Sequence, residues 1–241
     1  DRVYAAEIDP SGNTTKSAIW STTTRLRTDL QSPTADDDML TASFQAAGDV
    51  FATVGITGDA LLWRQSDGAF LRKLSGSWRD SFVPVFSPDG RTVLSSDEGA
   101  VQIAQVEKDV VPVETLSLDG PVTAGAWSDD GSKLVTGTGI GRLSVWDRKA
   151  NSWVATSTTR IEKKGSFSMI VDVALTQDGS TVLALTDDNE VWLWNPTNQV
   201  TNATWRWLLG PGSGSKPTRF GLEETVRGLA LSPDGSQVAL G

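Results

Sequence analysis

One short pattern returns along the chain: a large apolar residue, a hydroxyl residue, a variable position, then Asp and Gly. It stands as Phe86-Ser-Pro-Asp-Gly90, Trp127-Ser-Asp-Asp-Gly131, Leu175-Thr-Gln-Asp-Gly179 and Leu231-Ser-Pro-Asp-Gly235, with weaker copies at Phe44-Gln-Ala-Ala-Gly48 and Ile8-Asp-Pro-Ser-Gly12. The apolar residue ends one strand, the polar residues open a turn, and glycine takes the positive φ of a tight hairpin without steric cost. After two polar residues come Val93-Leu94, Leu134-Val135, Val182-Leu183 and Val238-Ala239, pairs that suit a pleated, buried second strand. A third strand is predicted at Ala60–Trp63, Leu143–Trp146 and Val191–Trp194, each closing on an indole fifteen residues past Gly48, Gly131 or Gly179. A fourth, less regular strand falls at Phe70–Leu74, Val113–Leu118, Trp153–Ser157 and Thr204–Leu208.

The marking glycines recur 36 to 56 residues apart, and the interval lengthens toward the C-terminus. Four strands in a unit of about 40 residues is the signature of a β-propeller blade. The expected fold is therefore all-β: a propeller of four-stranded antiparallel blades forming one domain over 1–241. The count is five blades and half of a sixth. Because every blade needs a neighbour on both sides, the reading is of a domain incomplete at the C-terminus, and on one version at the N-terminus, within a larger ring such as a seven-bladed one. The other version reassigns the first unit, with Tyr4–Ile8 or Ser17–Trp20 acting as the closing strand of the last blade.

The run Leu143-Ser-Val-Trp-Asp147, after Ala126-Trp-Ser-Asp-Asp-Gly131, resembles a WD repeat, and Val191-Trp-Leu-Trp-Asn195 is similar to it. The resemblance is strongest over 80–196 and weakest before Thr41. It implies a propeller fold and, as WD-repeat domains commonly do, a non-catalytic scaffold that binds protein partners through loops on one face. It is nearly silent on activity, since propellers host many functions. The departures are specific. The Gly-His pair that anchors a buried hydrogen-bond network in WD repeats is missing, because the chain has no histidine. The Asp of the Trp-Asp pair survives only at Asp147, with Arg64, Gln105 and Asn195 at the equivalent positions. Blade cohesion is thus expected to come mainly from apolar packing, at roughly 1.5–3 kcal/mol for each buried large side chain. The first unit fits worst, with Thr15-Lys16 where an apolar pair is expected. The segment Val83-Pro-Val-Phe-Ser-Pro-Asp-Gly90 also fits Tol-type and peptidase-associated propellers, and the closing tryptophans favour WD repeats.

Composition narrows the chemistry. With 241 residues, no Cys and no His, the chain cannot build a Ser-His-Asp or Cys-His nucleophile, a histidine-ligated zinc or a disulfide. Its 21 basic and 30 acidic residues, net −9, argue against nucleic-acid and anionic-membrane binding, and no apolar run reaches the roughly 18 residues of a membrane helix. Asp1 rather than Met opens the sequence, so a preceding segment removed from it is expected. No cofactor is implied. Asp36-Asp37-Asp38 and Asp187-Asp188-Asn189-Glu190 offer oxygen ligands for a hard cation but match no calcium-loop spacing, and read as solvated turns. Gly210-Pro-Gly-Ser-Gly-Ser-Lys216 fails the phosphate-loop template, and its Ser213 and Lys216 lack the helix start a Ser-x-x-Lys pair needs. Trp192, Trp194, Trp205 and Trp207 read as packing residues.

The connections from each outer strand to the next inner strand carry more information. Those at Ser75–Phe82, Thr158–Met169 and Gly210–Thr225 hold Trp78, Arg79, Arg160, Lys163, Lys164, Lys216, Arg219 and Phe220. They predict a basic, aromatic-dotted rim on an acidic protein, the composition favoured at interface centres, against the plainer reading of ordinary charge scatter on loops. Two function classes follow: a partner-binding propeller module, or the sensor portion of a larger NTPase, kinase or protease, where the partner is another domain of the same polypeptide. A carboxylate-based propeller enzyme is disfavoured, because no inward acidic position recurs from blade to blade.

Overall fold

Strand-forming segments separated by glycine turns fold as the pattern requires. The computed structural model describes residues 2–8, 14–31, 33, 39–46, 48–55, 60–74, 84–97, 99–107, 112–150, 152–163, 166–196, 218–221, 226, 228–231 and 237–240. These are all-β and divide into two compact units, Asp1–Thr115 and Leu116–Gly241. The first unit opens with a three-stranded sheet, β1 (Arg2–Ile8), β2 (Thr14–Ser21) and β3 (Arg27–Leu30). A four-stranded meander follows, β4 (Met39–Phe44), β5 (Val50–Gly55), β6 (Ala60–Arg64) and β7 (Phe70–Leu74). Next comes β8 (Val85–Phe86), β9 (Thr92–Asp97), β10 (Ala100–Gln105) and β11 (Pro112–Ser117), again in sequence order.

The second unit repeats the arrangement. Its first sheet is β12 (Val122–Trp127), β13 (Lys133–Thr138), β14 (Arg142–Lys149) and β15 (Ser152–Arg160). A short hairpin, β16 (Glu162–Lys163) and β17 (Ser166–Phe167), leads into β18 (Ile170–Leu175), β19 (Val182–Thr186), β20 (Glu190–Trp194) and β21 (Thr218–Gly221). β22 (Leu229–Leu231) and β23 (Val238–Leu240) form a final two-stranded sheet. Such four-stranded antiparallel meanders are the blades of a partial β-propeller.

The recurring turn has a defined hydrogen-bond set. Ser87, Ser128 and Thr176 donate their hydroxyls to Asp89, Asp130 and Asp178 at 2.6, 2.7 and 2.7 Å. The same oxygens accept the backbone N–H of Thr92, Lys133 and Thr181 at 3.0, 2.9 and 3.0 Å. Gly90, Gly131 and Gly179 then sit at φ 68°, 67° and 67°, which L-residues with a side chain rarely adopt. In the weaker copy Gln45 substitutes for the hydroxyl, its Oε1 accepting Val50 N–H at 3.1 Å.

Buried clusters lie between consecutive sheets inside each unit. Ile19 and Leu30 pack against Phe51, Leu61 and Trp63. Val135, Leu143, Val145 and Ile161 pack against Ile170, Val173, Val182, Ala184 and Trp194. The expected packing role of Trp192 and Trp194 is met, with Trp192 partly buried beside that second cluster, while Trp205 and Trp207 lie outside the described residues.

Two expectations need correcting. The strand that pairs with β20 is Thr218–Gly221, in register with Glu190–Leu193, and not the segment Thr204–Leu208, which lies outside the described residues. Alternating tryptophans suggested a strand there, but alternation alone does not choose between candidate partners separated by a long glycine-rich insertion. The first repeat, β1–β3, is also shifted by one strand. Arg25 N–H bonds Ser21 O and Ser21 N–H bonds Leu26 O, as Gly68 N–H bonds Arg64 O and Arg64 N–H bonds Ala69 O. Arg25 adopts φ 59° where Gly68 has 71°. Trp20 therefore matches Trp63, and β1–β3 correspond to the second, third and fourth strands of a blade. Tyr4–Ile8 and Ser17–Trp20 pair with each other. The Pro-Ser-Gly motif at 10–12, which lies outside the described residues, is a weak marker because such a motif serves any hairpin, whereas the indole position belongs to one strand.

Candidate interaction surface

In the second unit, the ends of the sheets that carry the blade-to-blade connections are built from the turns joining second and third strands. Thr138–Arg142 and Thr186–Glu190 are equivalent turns, with Gly141 at φ 75° and Asn189 at φ 62°. Arg142 N–H bonds Thr138 Oγ1 at 3.1 Å. Thr186 Oγ1 donates to Asp188 Oδ1 at 2.5 Å and to Glu190 O at 3.1 Å. These turns hold the connections that pass beside them. Gly141 O accepts Ile161 N–H at 2.8 Å. A Cβ at Gly141 would come within 2.7 Å of Ile161 O and 2.9 Å of Ser168 O, so only glycine lets both strands of the connection lie there.

The acidic run at 187–190 forms the other side of the clamp. Met169 N–H bonds Asp187 Oδ1 at 2.9 Å, and Asp187 N–H returns a bond to Met169 O at 3.0 Å. The buried Ser168 donates its hydroxyl to Asp188 Oδ2 at 3.2 Å. Val226 N–H bonds Asn189 Oδ1 at 2.8 Å, and Leu229 N–H bonds Asp172 Oδ2 at 2.9 Å, so the entry to β22 is held by the same sheet. Burial pushes the Asp172 carboxyl above the usual carboxylate range, and the N–H donors of Leu229 and Val173 pull it partly back. The turn Asp130 shifts the other way, held low by the Ser128 hydroxyl and then by the N–H and hydroxyl of Ser132.

This polar clamp adds to the apolar packing expected to supply most of the cohesion in the absence of a histidine network. Hydroxyl–carboxylate bonds fasten the connection before β18, and indole–hydroxyl bonds fasten two other sheets. Trp63 Nε1 donates to Thr53 Oγ1 at 2.8 Å, and Trp146 Nε1 to Thr136 Oγ1 at 3.0 Å.

Clamped this way, the segment 166–169 presents Phe167 and Met169, 50 % and 40 % exposed, two residues apart with the buried Ser168 between them. The Arg160 guanidinium stands 4.7 Å from the Phe167 ring centroid. Arg160 is in register with Arg142 across β14 and β15, and Arg142 is paired with Asp119 at 2.6 Å. Among the described residues Arg160 makes no ion pair.

Of the residues predicted for partner binding, Arg160 therefore lies at this surface, at the end of an outer strand instead of in a loop. Lys163 is in β16, opposite Ser166. Arg219 and Phe220, expected in a loop, belong to β21 opposite Trp192 and Val191. All four residues thus lie in strands instead of loops: Arg160 ends β15, Lys163 is in the β16–β17 hairpin, and Arg219 and Phe220 are in β21. Trp78, Arg79, Lys164 and Lys216 lie outside the described residues, as does Asp36-Asp37-Asp38. Phe167 and Met169 were not singled out, although their spacing around Ser168 is a strand-like alternation that could have flagged them.

No protein-family model matches the chain. It is similar to telomerase protein component 1 of Mus musculus, 24 % identical over 195 residues, which are 78 % of this chain and 7 % of that protein. The Rattus norvegicus protein of the same name is 23 % identical over the same length. It is also similar to the WD repeat-containing protein SL1-17 of Schistosoma mansoni, 24 % identical over 155 residues, 64 % of this chain and 49 % of that protein. The aligned chain spans about half of the Schistosoma protein and a small fraction of the two telomerase components. With the four-stranded sheets, the likeness to a WD repeat-containing protein supports reading these repeats as WD repeats in a β-propeller.

Proposed function

We propose that the chain is a non-catalytic recognition module that binds a protein partner through its blade-to-blade connections, with Arg160, Phe167 and Met169 at the centre of the contact. The single observation that supports this most is the Arg160–Phe167 stack on a connection fixed from behind by Asp187 and Asp188. Exposed aromatic and Arg side chains ordered before binding lose little entropy on contact, which favours affinity. Within the second unit, Lys163, Lys164, Lys216, Arg219 and Phe220 extend the proposed contact surface, and Trp78 and Arg79 are proposed as partner-binding residues of the first unit taken by itself. The likeness to a WD repeat-containing protein agrees with a scaffold role in general terms.

The test compares proteins retained by the tagged chain, by an Arg160→Ala/Phe167→Ser variant and by Val154→Ser, a control at a site 45 % exposed on β15. A defined set lost only with the double variant is the expected result. Equal sets for all three chains would refute the reading.

A second reading has one observation behind it, the 7 % coverage of the telomerase components. In it the module is the regulatory or sensor part of a larger polypeptide and the same patch meets another domain of that chain. Cross-linking from position 169 in the longer polypeptide would then give intramolecular products.

A further inference from the structure

We infer that the Arg160–Phe167–Met169 patch takes an extended peptide segment in which an Asp or Glu side chain flanks an apolar one. The inference rests on the recognition reading above and specifies its ligand. The chemistry of the patch is two-part. Phe167 and Met169 project from one clamped backbone segment, offering adjacent apolar contacts separated by the buried Ser168. Beside them Arg160 lies on the Phe167 face, so its planar fork is held in place, and among the described residues no carboxylate neutralises it. A stacked guanidinium with open donors suits a carboxylate in bidentate geometry.

Two acids of the adjoining turn already have partners. Asp187 accepts Met169 N–H, and Asp188 accepts the hydroxyls of Ser168 and Thr186. Arg142, in register with Arg160, is already paired with Asp119. The adjoining sequence adds Lys163 and Lys164 against a single acid, Glu162. In a chain of net charge −9, the stretch 160–164 carries three basic residues against one acid, which favours an acidic segment as ligand.

Panning a random heptapeptide phage library on the full 241-residue chain, with an Arg160→Glu/Phe167→Ser chain as counter-selection, tests this directly. Recovered peptides should be enriched in Asp or Glu beside Phe, Leu or Met. Their synthetic forms should lose affinity by about tenfold on Arg160→Ala, and binding should weaken as salt is raised. Arg160→Lys, which keeps the charge and removes the planar fork, should fall between. Peptides that depend on the patch but show no acidic bias would overturn the ligand chemistry and leave the recognition reading standing. Peptides recovered equally on both chains would overturn the patch itself as a docking site. Matching denaturation midpoints for all variants ensure that the comparison reports binding.

Discussion

The sheet β4–β7 and the sheet β18–β21 share one repeat and hold themselves together differently. In β4–β7 four aromatic rings run through the blade: Phe44 stacks on Phe51 at 5.2 Å, Phe51 on Trp63 at 6.3 Å, and Trp63 meets Phe70 edge-on at 5.5 Å. The indole also reaches Thr53. In β18–β21 the matching positions are Leu175, Val182, Trp194 and, in place of Thr53, Ala184. That sheet instead gathers Ser168, Asp187, Asp188 and Thr186 into a clamp around its incoming connection, and Asp172 and Asn189 around its outgoing one. The lesson is that the period places the strands, while the adhesive is chosen blade by blade. Where polar turn residues supply it, the clamped connection also becomes an ordered surface.

The largest expected effect tests the aromatic side of this comparison. Trp63→Ala empties a fully buried site and should lower stability by about 3–5 kcal/mol in chemical denaturation. Trp194→Ala should cost about 1 kcal/mol less, because its indole has no hydroxyl at the Thr53 position. Equal losses would erase the proposed difference. Next, Gly141→Ala should destabilise by roughly 2–3 kcal/mol, since the new Cβ meets carbonyl oxygens of the backbone and the residue must keep a positive φ. A loss below about 0.5 kcal/mol would show that the connection is not held as tightly as drawn.

Smaller again, Thr53→Val and Thr136→Val should each cost about 1–2 kcal/mol, by leaving a buried indole N–H without its acceptor. The last prediction concerns pH. The folded Asp172 carboxyl is raised, so its contribution to stability is full below the ordinary Asp range and is lost as pH rises through its folded value. Asp130 is lowered, so its contribution is present above the ordinary range and is lost as pH falls through its own folded value. Asp172→Asn should therefore gain on the wild type as pH rises from about 3 toward neutrality, whatever its constant offset, and Asp130→Asn should lose ground over the same span. Parallel stability curves would mean that neither carboxyl is perturbed by folding.

Much of the architecture was readable from residues alone. The turn at Ser128–Gly131, the paired apolar residues of the second strand and the closing indoles Trp63, Trp146 and Trp194 each carry a local physical reason, and each falls where expected. The fourth strand of the β18–β21 sheet was not readable, because Thr218–Gly221 has no alternation to set it apart from the preceding insertion. Of the candidate surface, Arg160 was legible as a cation in a connection, while Phe167 and Met169 emerged only once the clamp was seen.

What the chain determines by itself is its period and its hairpins, since a turn forms from the φ of one glycine and the hydroxyl and carboxylate within three residues of it. Which carboxylate holds which connection, and which apolar side chains stay exposed, was decided by tertiary structure. Asp172 in β18 meets Leu229 in β22 across 57 residues and from one sheet to another, and a contact at that separation is set by how sheets stack, not by the local sequence around either partner.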